Sequence, residues 1–355
     1  MRTNNNNYLI YGLTTAQEKI LAVAPKCTSP LSIVGSFYVV YKILSRDRSL
    51  DRVGLNIRNC YTDLLLGVCS ADFISSIAYF LSTWPIPKDT VYSENIWGEA
   101  GNQLTCNIQG FMIQYGTLSS IMYTCSLSLH FLLRIRYKWS PSRLAAKTHP
   151  MMHFSCICIP LGSAILAWCK TLYNPTLNCC FMRSYPSMCG TADTDACIRG
   201  ANAKWYMLSM YQVPVFVGLF FIIGAMMMIY FCLWRQDQQM SSFRAEDECR
   251  LSKQAFWLAC QYVAAFCVAF VPISVITIAV NVFKNAMFEF ALVYSILTPL
   301  QGFLNAIVYS NDLRNQLQHL CDRYRSLVAT AVEELSRIEN LKTWPFKFLK
   351  KSTVA

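Results

Sequence analysis

Seven mainly apolar stretches, each reaching the roughly 20 residues a membrane helix needs and separated by polar loops, limit this chain to few architectures. They run from about Ile20 to Leu44, Tyr61 to Trp84, Leu104 to Tyr137, Met151 to Leu172, Trp205 to Trp234, Gln254 to Val282 and Phe288 to Tyr309. In hydrocarbon a backbone has to satisfy its own N–H and C=O groups, and a helix does so within one segment. Charged residues make up 14% of the chain and hydrophobic ones 54%, whereas soluble domains carry roughly a quarter charged residues. The expected fold is an all-α membrane protein, a seven-transmembrane helix bundle with an amphipathic cytosolic helix after the last span.

Orientation follows from the loops. Most of the 31 Lys and Arg residues fall on one side, including Lys42, Arg46, Arg134, Arg136, Lys147 and the basic tail. The positive-inside rule then places the N-terminus outside and the tail in the cytosol. No signal-peptide pattern opens the chain, so insertion is expected to rely on the first span. In the tail, Leu313, Leu317, Leu320, Tyr324 and Leu327 share one helical face, as in a helix lying on the inner leaflet. The expected divisions are an extracellular N-terminus (1–19), a seven-span domain (20–310) and a cytosolic helix and tail (311–355).

Within the spans, polar and small residues recur at helical spacing. Pro25 and Pro30 bend the outer half of the first span. Ala71, Ser75, Ala78 and Ser82 give the second a face suited to close helix packing. Gln109, Gly116, Ser119, Tyr123, Ser126 and His130 form a stripe that places the third span at the bundle centre. In the last span Gln301, Asn305 and Tyr309 share a face, Pro299 interrupts the backbone one turn earlier, and Gly302 leaves room for a neighbour. Asp72 lies mid-span, where an acid needs a cation, a proton or a polar neighbour. The sharper reading makes it a sodium- or proton-sensitive switch shared with the Asn305 face; the plainer one is a structural hydrogen bond.

The 17 cysteines are too dispersed for a zinc spacing, and those inside spans read as small packing residues. Cys106 and the loop cysteines Cys179, Cys180, Cys189 and Cys197 face an oxidising compartment. Cys106 is expected to bond Cys180, with Cys179 the competitor. Two span histidines fall short of a two-haem carrier, and the last span lacks the lysine that retinal requires. Paired acids, metal clusters and a Ser–His pair of usable spacing are missing, so no enzyme, cofactor or metal is expected. The basic residues lie between spans without interleaved aromatics, which argues for membrane lipids and cytosolic partners rather than nucleic acid.

Several motifs taken together resemble G protein-coupled receptors, in particular the cyclic AMP receptor-like group related to secretin-like receptors. The carrying residues are Leu31-Ser-Ile-Val-Gly-Ser36, Ser70-Ala-Asp72 with Leu81-Ser-Thr-Trp-Pro85, and Cys106-Asn-Ile-Gln-Gly110-Phe111. They continue with Ser126-Leu-Ser-Leu-His-Phe-Leu-Leu-Arg-Ile-Arg136-Tyr137 and Pro299-Leu-Gln-Gly-Phe-Leu-Asn305 with Val308-Tyr309. The chain departs from rhodopsin-like receptors where Ile135 precedes Arg136-Tyr137 instead of an acid, and Pro272 has no Trp two residues earlier. His130-Phe131 stand where the cyclic AMP receptor-like group usually has Tyr-Tyr.

The resemblance implies a plasma-membrane receptor that passes an extracellular small-molecule signal to a heterotrimeric G protein, feeding cyclic AMP or a similar second messenger. The ligand would enter near Trp84, Gln109, Gln114 and Tyr123. Asp72, Pro272, Gln301, Asn305 and Tyr309 would form the activation switch, and Arg136 and Tyr137 the G protein contact. The alternative is a transporter or channel, which would show acidic or amide pairs in broken helices and repeat symmetry.

Overall fold

The computed structural model of the chain describes residues 14–52, 60–88, 96–186, 189, 197–238, 256–271 and 288–311, with only the helical path given over 47–52. The chain divides into two compact units, Met1–Val308 and Tyr309–Ala355. Described residues of the second unit are the three at the end of the last helix, so the amphipathic segment 312–327 lies outside the described residues.

The first unit is built from helices: α1 (Thr15–Arg52), α2 (Cys60–Leu81), α3 (Gln103–Ile135), α4 (Pro141–Lys147) and α5 (His149–Cys169). A two-stranded antiparallel hairpin follows, β1 (Tyr173–Pro175) and β2 (Cys180–Met182), pairing Tyr173 with Met182 and Pro175 with Cys180. Then come α6 (Ala203–Met207), a π turn (Leu208–Gln212), α7 (Val213–Gln238) and α8 (Phe256–Val271). The last is α9 (Phe288–Leu297), which passes through the 3-10 turn Thr298–Leu300 and continues helically to Asn311. Among the described residues, six helices are long and apolar enough to cross a membrane, and Phe256–Val271 is a further apolar helix. This is a multi-pass helical membrane protein.

Local chemistry sets several boundaries. α1 starts five residues before Ile20, because Thr14 and Gln17 form a capping box: the Thr14 amide donates to Gln17 Oε1 and the Gln17 amide to Thr14 Oγ1. Residues 15–19 are therefore helical, continuous with the helix that carries the first apolar stretch. α2 stops at Leu81, three residues short of Trp84, where Ser82 takes a left-handed backbone (φ 48°) ahead of Pro85 and Pro87. Asn102 and Thr105 cap α3 reciprocally. The short helix α4, capped by Ser140 with Pro141 in its first turn, occupies a loop in which no helix was expected.

More of α3 is buried than of any other of the six long helices, and α2, α5 and α7 pack around it. Gly116 allows the α2 approach, since a Cβ there would lie 2.8 Å from the Ser75 amide nitrogen and 2.9 Å from the Ala71 carbonyl. The small face of α2 thus packs where its sequence placed it. α5 and α7 instead expose long apolar rows such as Met151, Phe154, Ile159, Val217, Phe220 and Met227, the surface a helix offers to lipid. α8 supplies Phe266, Ala269 and Phe270 to a core shared with Leu118, Ile121, Val215 and Ile222.

Candidate functional site

Asp72, the one acid in mid-span on α2, is where three helices meet through hydrogen bonds. Ser120 Oγ on α3 donates to Asp72 Oδ1 at 2.6 Å, and Asn305 Nδ2 on α9 donates to Asp72 Oδ2 at 2.7 Å. Gln301 Nε2, one turn before Asn305, donates to Ser120 Oγ at 2.9 Å. All four residues are buried. A carboxylate accepts only, so it suits two donors aimed at separate oxygens, and in an apolar interior each bond is hard to forgo. The four-residue spacing of Gln301 and Asn305 puts both amides on the side of α9 that faces Asp72.

The backbone around this cluster is held close and partly broken. The 3-10 turn Thr298–Leu300 contains Pro299, which has no N–H to give, and Thr298 Oγ1 donates to the Ala269 carbonyl of α8. Gly302 lies against Ser36 Oγ and Ser32 of α1, leaving no room for a Cβ, and the Phe303 amide donates to Ser32 Oγ. α9 is therefore tied to α1, α2, α3 and α8 within two turns. Tyr309 falls in the second unit and takes no part in the Asp72 bonds described above. Pro272 lies outside the described residues.

At one end of the first unit the β1–β2 loop is fastened to α3. Cys106 and Cys180 form a disulfide, as do Cys189 and Cys197. Cys179 stays a free thiol whose pKa burial pushes up to about 11, well away from the reactive thiolate. Gln109, three residues after Cys106, accepts from the Cys180 amide and donates to the Ala78 and Ser82 carbonyls of α2. Gly110 seats the Tyr173 ring, whose hydroxyl donates to Gln114 Oε1 at 2.7 Å and the Ala164 carbonyl at 3.1 Å. Each member of the Cys106-x-x-Gln-Gly run thus docks part of the same loop.

These bonds separate the four residues expected around a ligand. Gln109 and Gln114 are fully engaged with the loop, α2 and α5, the latter also through Ser163. Trp84 is exposed, with the Lys26 ammonium 4.2 Å above its ring. Tyr123 packs on Gly67 and reaches His153. It follows Gln109 by fourteen residues, about 21 Å of helix rise, too far to line one small pocket.

At the opposite, basic end of α3, Arg136 and Tyr137 are exposed and lie against each other. Nearby stands a row that spacing alone did not reveal: Asp63, His149, His153 and Tyr123. His149 Nε2 lies 3.4 Å from Asp63 Oδ2 and 3.0 Å from His153 Nε2, and His153 Nδ1 lies 3.1 Å from the Tyr123 hydroxyl. The four-residue step from His149 to His153 was the available signal, without its α2 and α3 partners. Among the described residues no group of His, Cys, Asp and Glu has a metal-binding arrangement.

No known protein family and no curated protein matches this chain.

Proposed function

We propose that the protein is a cell-surface receptor of the G protein-coupled type, with its disulfide end outside and its basic end in the cytosol. The observation that carries this reading is the Asp72–Ser120–Gln301–Asn305 cluster. It joins α2, α3 and α9 beside a proline-broken turn, and none of its members is exposed to react with a substrate. Such a cluster can hold one helix arrangement and release another, and a ligand shifts the balance only by binding one arrangement more tightly. The loop fixed to α3 by Cys106–Cys180 gives an extracellular ligand a rigid rim. Arg136 and Tyr137 at the other end of the same helix are free to meet a G protein. Which second messenger follows depends on that partner, and cyclic AMP is the one the sequence resemblance suggests.

The test is nucleotide exchange on heterotrimeric G proteins reconstituted with the full chain in lipid vesicles. Arg136→Ala is expected to abolish stimulated exchange, and Asn305→Ala to change its basal level. Full signalling by both variants would sink the assignment. One observation favours a transporter instead, the row Asp63–His149–His153–Tyr123, which resembles a proton path. Proton flux into vesicles that depends on His153, without any effect on exchange, would select that reading.

A further inference from the structure

Above the Asp72 cluster, toward the disulfide end, lies a second set of buried polar groups that internal bonds do not use up. The Tyr79 hydroxyl from α2, Thr117 Oγ1 from α3, the Tyr211 hydroxyl and both amide atoms of Gln212 are buried without a hydrogen-bond partner. Their residues are 5%, 2%, 1% and 2% exposed. Tyr79 approaches Tyr294 and Thr117, and Tyr211 approaches Thr117, but these contacts are loose and leave the Tyr79, Thr117 and Tyr211 hydroxyls short of full hydrogen-bonding geometry. Buried polar atoms are nearly always paired, so three such hydroxyls side by side call for an occupant.

Local structure brings the Tyr211 hydroxyl there. Tyr211 and Gln212 end the π turn Leu208–Gln212, and a π turn is wider than an α turn and re-aims successive side chains. The roof is Phe181 of β2, whose ring stands edge-on to Tyr211 with centroids 4.9 Å apart and also packs with Ala78, Tyr79 and Ile113. Phe181 follows Cys180 directly, so the Cys106–Cys180 disulfide holds the roof in place. Apolar side chains pack around the set, Leu118 and Phe266 in one core with Tyr211 and Met112 in another with Tyr79.

Charge decides the chemistry. The titratable groups acting on Tyr79, Tyr211 and Tyr294 are one another and Cys179, with no cation or carboxylate among the described residues. Asp72 lies two turns further along α2 and is taken up by Ser120 and Asn305. Arg199 is bonded to Asn174 and Asn107 in the loop. A phosphate, a carboxylate or a quaternary ammonium would be buried here without a counter-charge from any described residue acting on these hydroxyls.

We propose that a small uncharged molecule, with an apolar body and two or three hydroxyl, carbonyl or amide groups, binds beneath Phe181 against Tyr79, Thr117 and Tyr211. This deepens the receptor reading by naming the chemistry of its ligand, and it points away from a cyclic nucleotide in this site.

The experiment uses the full chain in lipid nanodiscs, without G protein. Thermal shift and affinity selection are read for a panel of neutral amides, phenols and sterol-type alcohols, and for a matched panel of cyclic nucleotides, carboxylates and quaternary amines. Tyr79→Phe, Thr117→Val and Tyr211→Phe each remove one unpartnered oxygen and keep the shape, so all three should fold as well as the parent. At least one neutral compound is expected to raise Tm and to lose about tenfold or more in affinity in Tyr79→Phe and Tyr211→Phe, one lost hydrogen bond each. The proposal is overturned if no neutral compound binds, if binding ignores all three substitutions, or if charged compounds compete through the same hydroxyls. Exchange assays then separate the two ideas: hydroxyl-dependent binding without any effect on exchange removes the receptor reading and leaves the site. Exchange driven by a charged ligand that is indifferent to the hydroxyls does the reverse.

Discussion

Asp72 and Asn305 are 233 residues apart in the chain and 2.7 Å apart in the fold, so their bond belongs to the folded state alone. Replacing Asn305 by Ala removes one of the two side-chain donors on a buried carboxylate. A loss of about 1–3 kcal/mol is expected, read as a lower unfolding temperature in detergent. Asp72→Ala should cost a similar amount, because it strands Asn305 and Ser120 together. The double variant should then lose clearly less than the two single losses combined, since the second substitution removes a group already left unpaired. Strict additivity would show that the two residues stabilise the protein separately. Asp72→Asn keeps the shape and one acceptor, so it should be milder than either Ala change; an equal loss would mean that charge, rather than hydrogen bonding, holds the cluster.

At the scale of elements, the glycines divide by what their faces meet. Gly116 faces the α2 backbone, where a Cβ would come within 2.8 Å of the Ser75 nitrogen, and backbone cannot step aside as a flexible side chain can. Gly116→Val is expected to abolish folded protein, judged by a monodisperse size-exclusion peak. Gly162 on α5 and Gly224 on α7 meet nothing within 4 Å. Replacing either by Ala should be harmless or stabilising by up to about 1 kcal/mol, the helix-propensity difference. If Gly224→Ala destabilised as Gly116→Val does, the lipid-facing surface of α7 would have to be revised. The small face of α2 and the polar stripe of α3 were legible because helical period alone sorts side chains by direction. The capping box at Thr14 and Gln17 was also legible in principle, but the length a span needs is already met by a start near Ile20. The π turn was not legible, since one inserted residue per turn leaves no mark in the order of residue types over Leu208–Gln212. Tyr211 and Gln212 therefore looked like ordinary members of a span.

For the molecule as a whole, hydrophobic length and the Lys and Arg distribution carry most of the architecture, since both are read by the membrane before any tertiary contact forms. The candidate site divides differently. Asp72, Gln301, Asn305 and Cys106 could be singled out, because a polar group or a cysteine at a definite depth is informative alone. Gln109 and Gln114 also stood out, but their use by the loop depends on where Tyr173 and Cys180 arrive, and sequence spacing does not encode that. Topology gives the sharpest test at this scale. Among the described residues, six long apolar helices and the apolar helix Phe256–Val271 make seven crossings if each of them spans. An odd count puts the two ends of the chain on opposite sides of the membrane, and an even count puts them on the same side. With the ends of α1, α3 and α7 that carry Arg46, Arg134 and Arg235 inside, an epitope at the N-terminus should label on intact cells and one at the C-terminus only after permeabilisation. Labelling of both on intact cells, or of neither, would remove one crossing and the receptor reading with it.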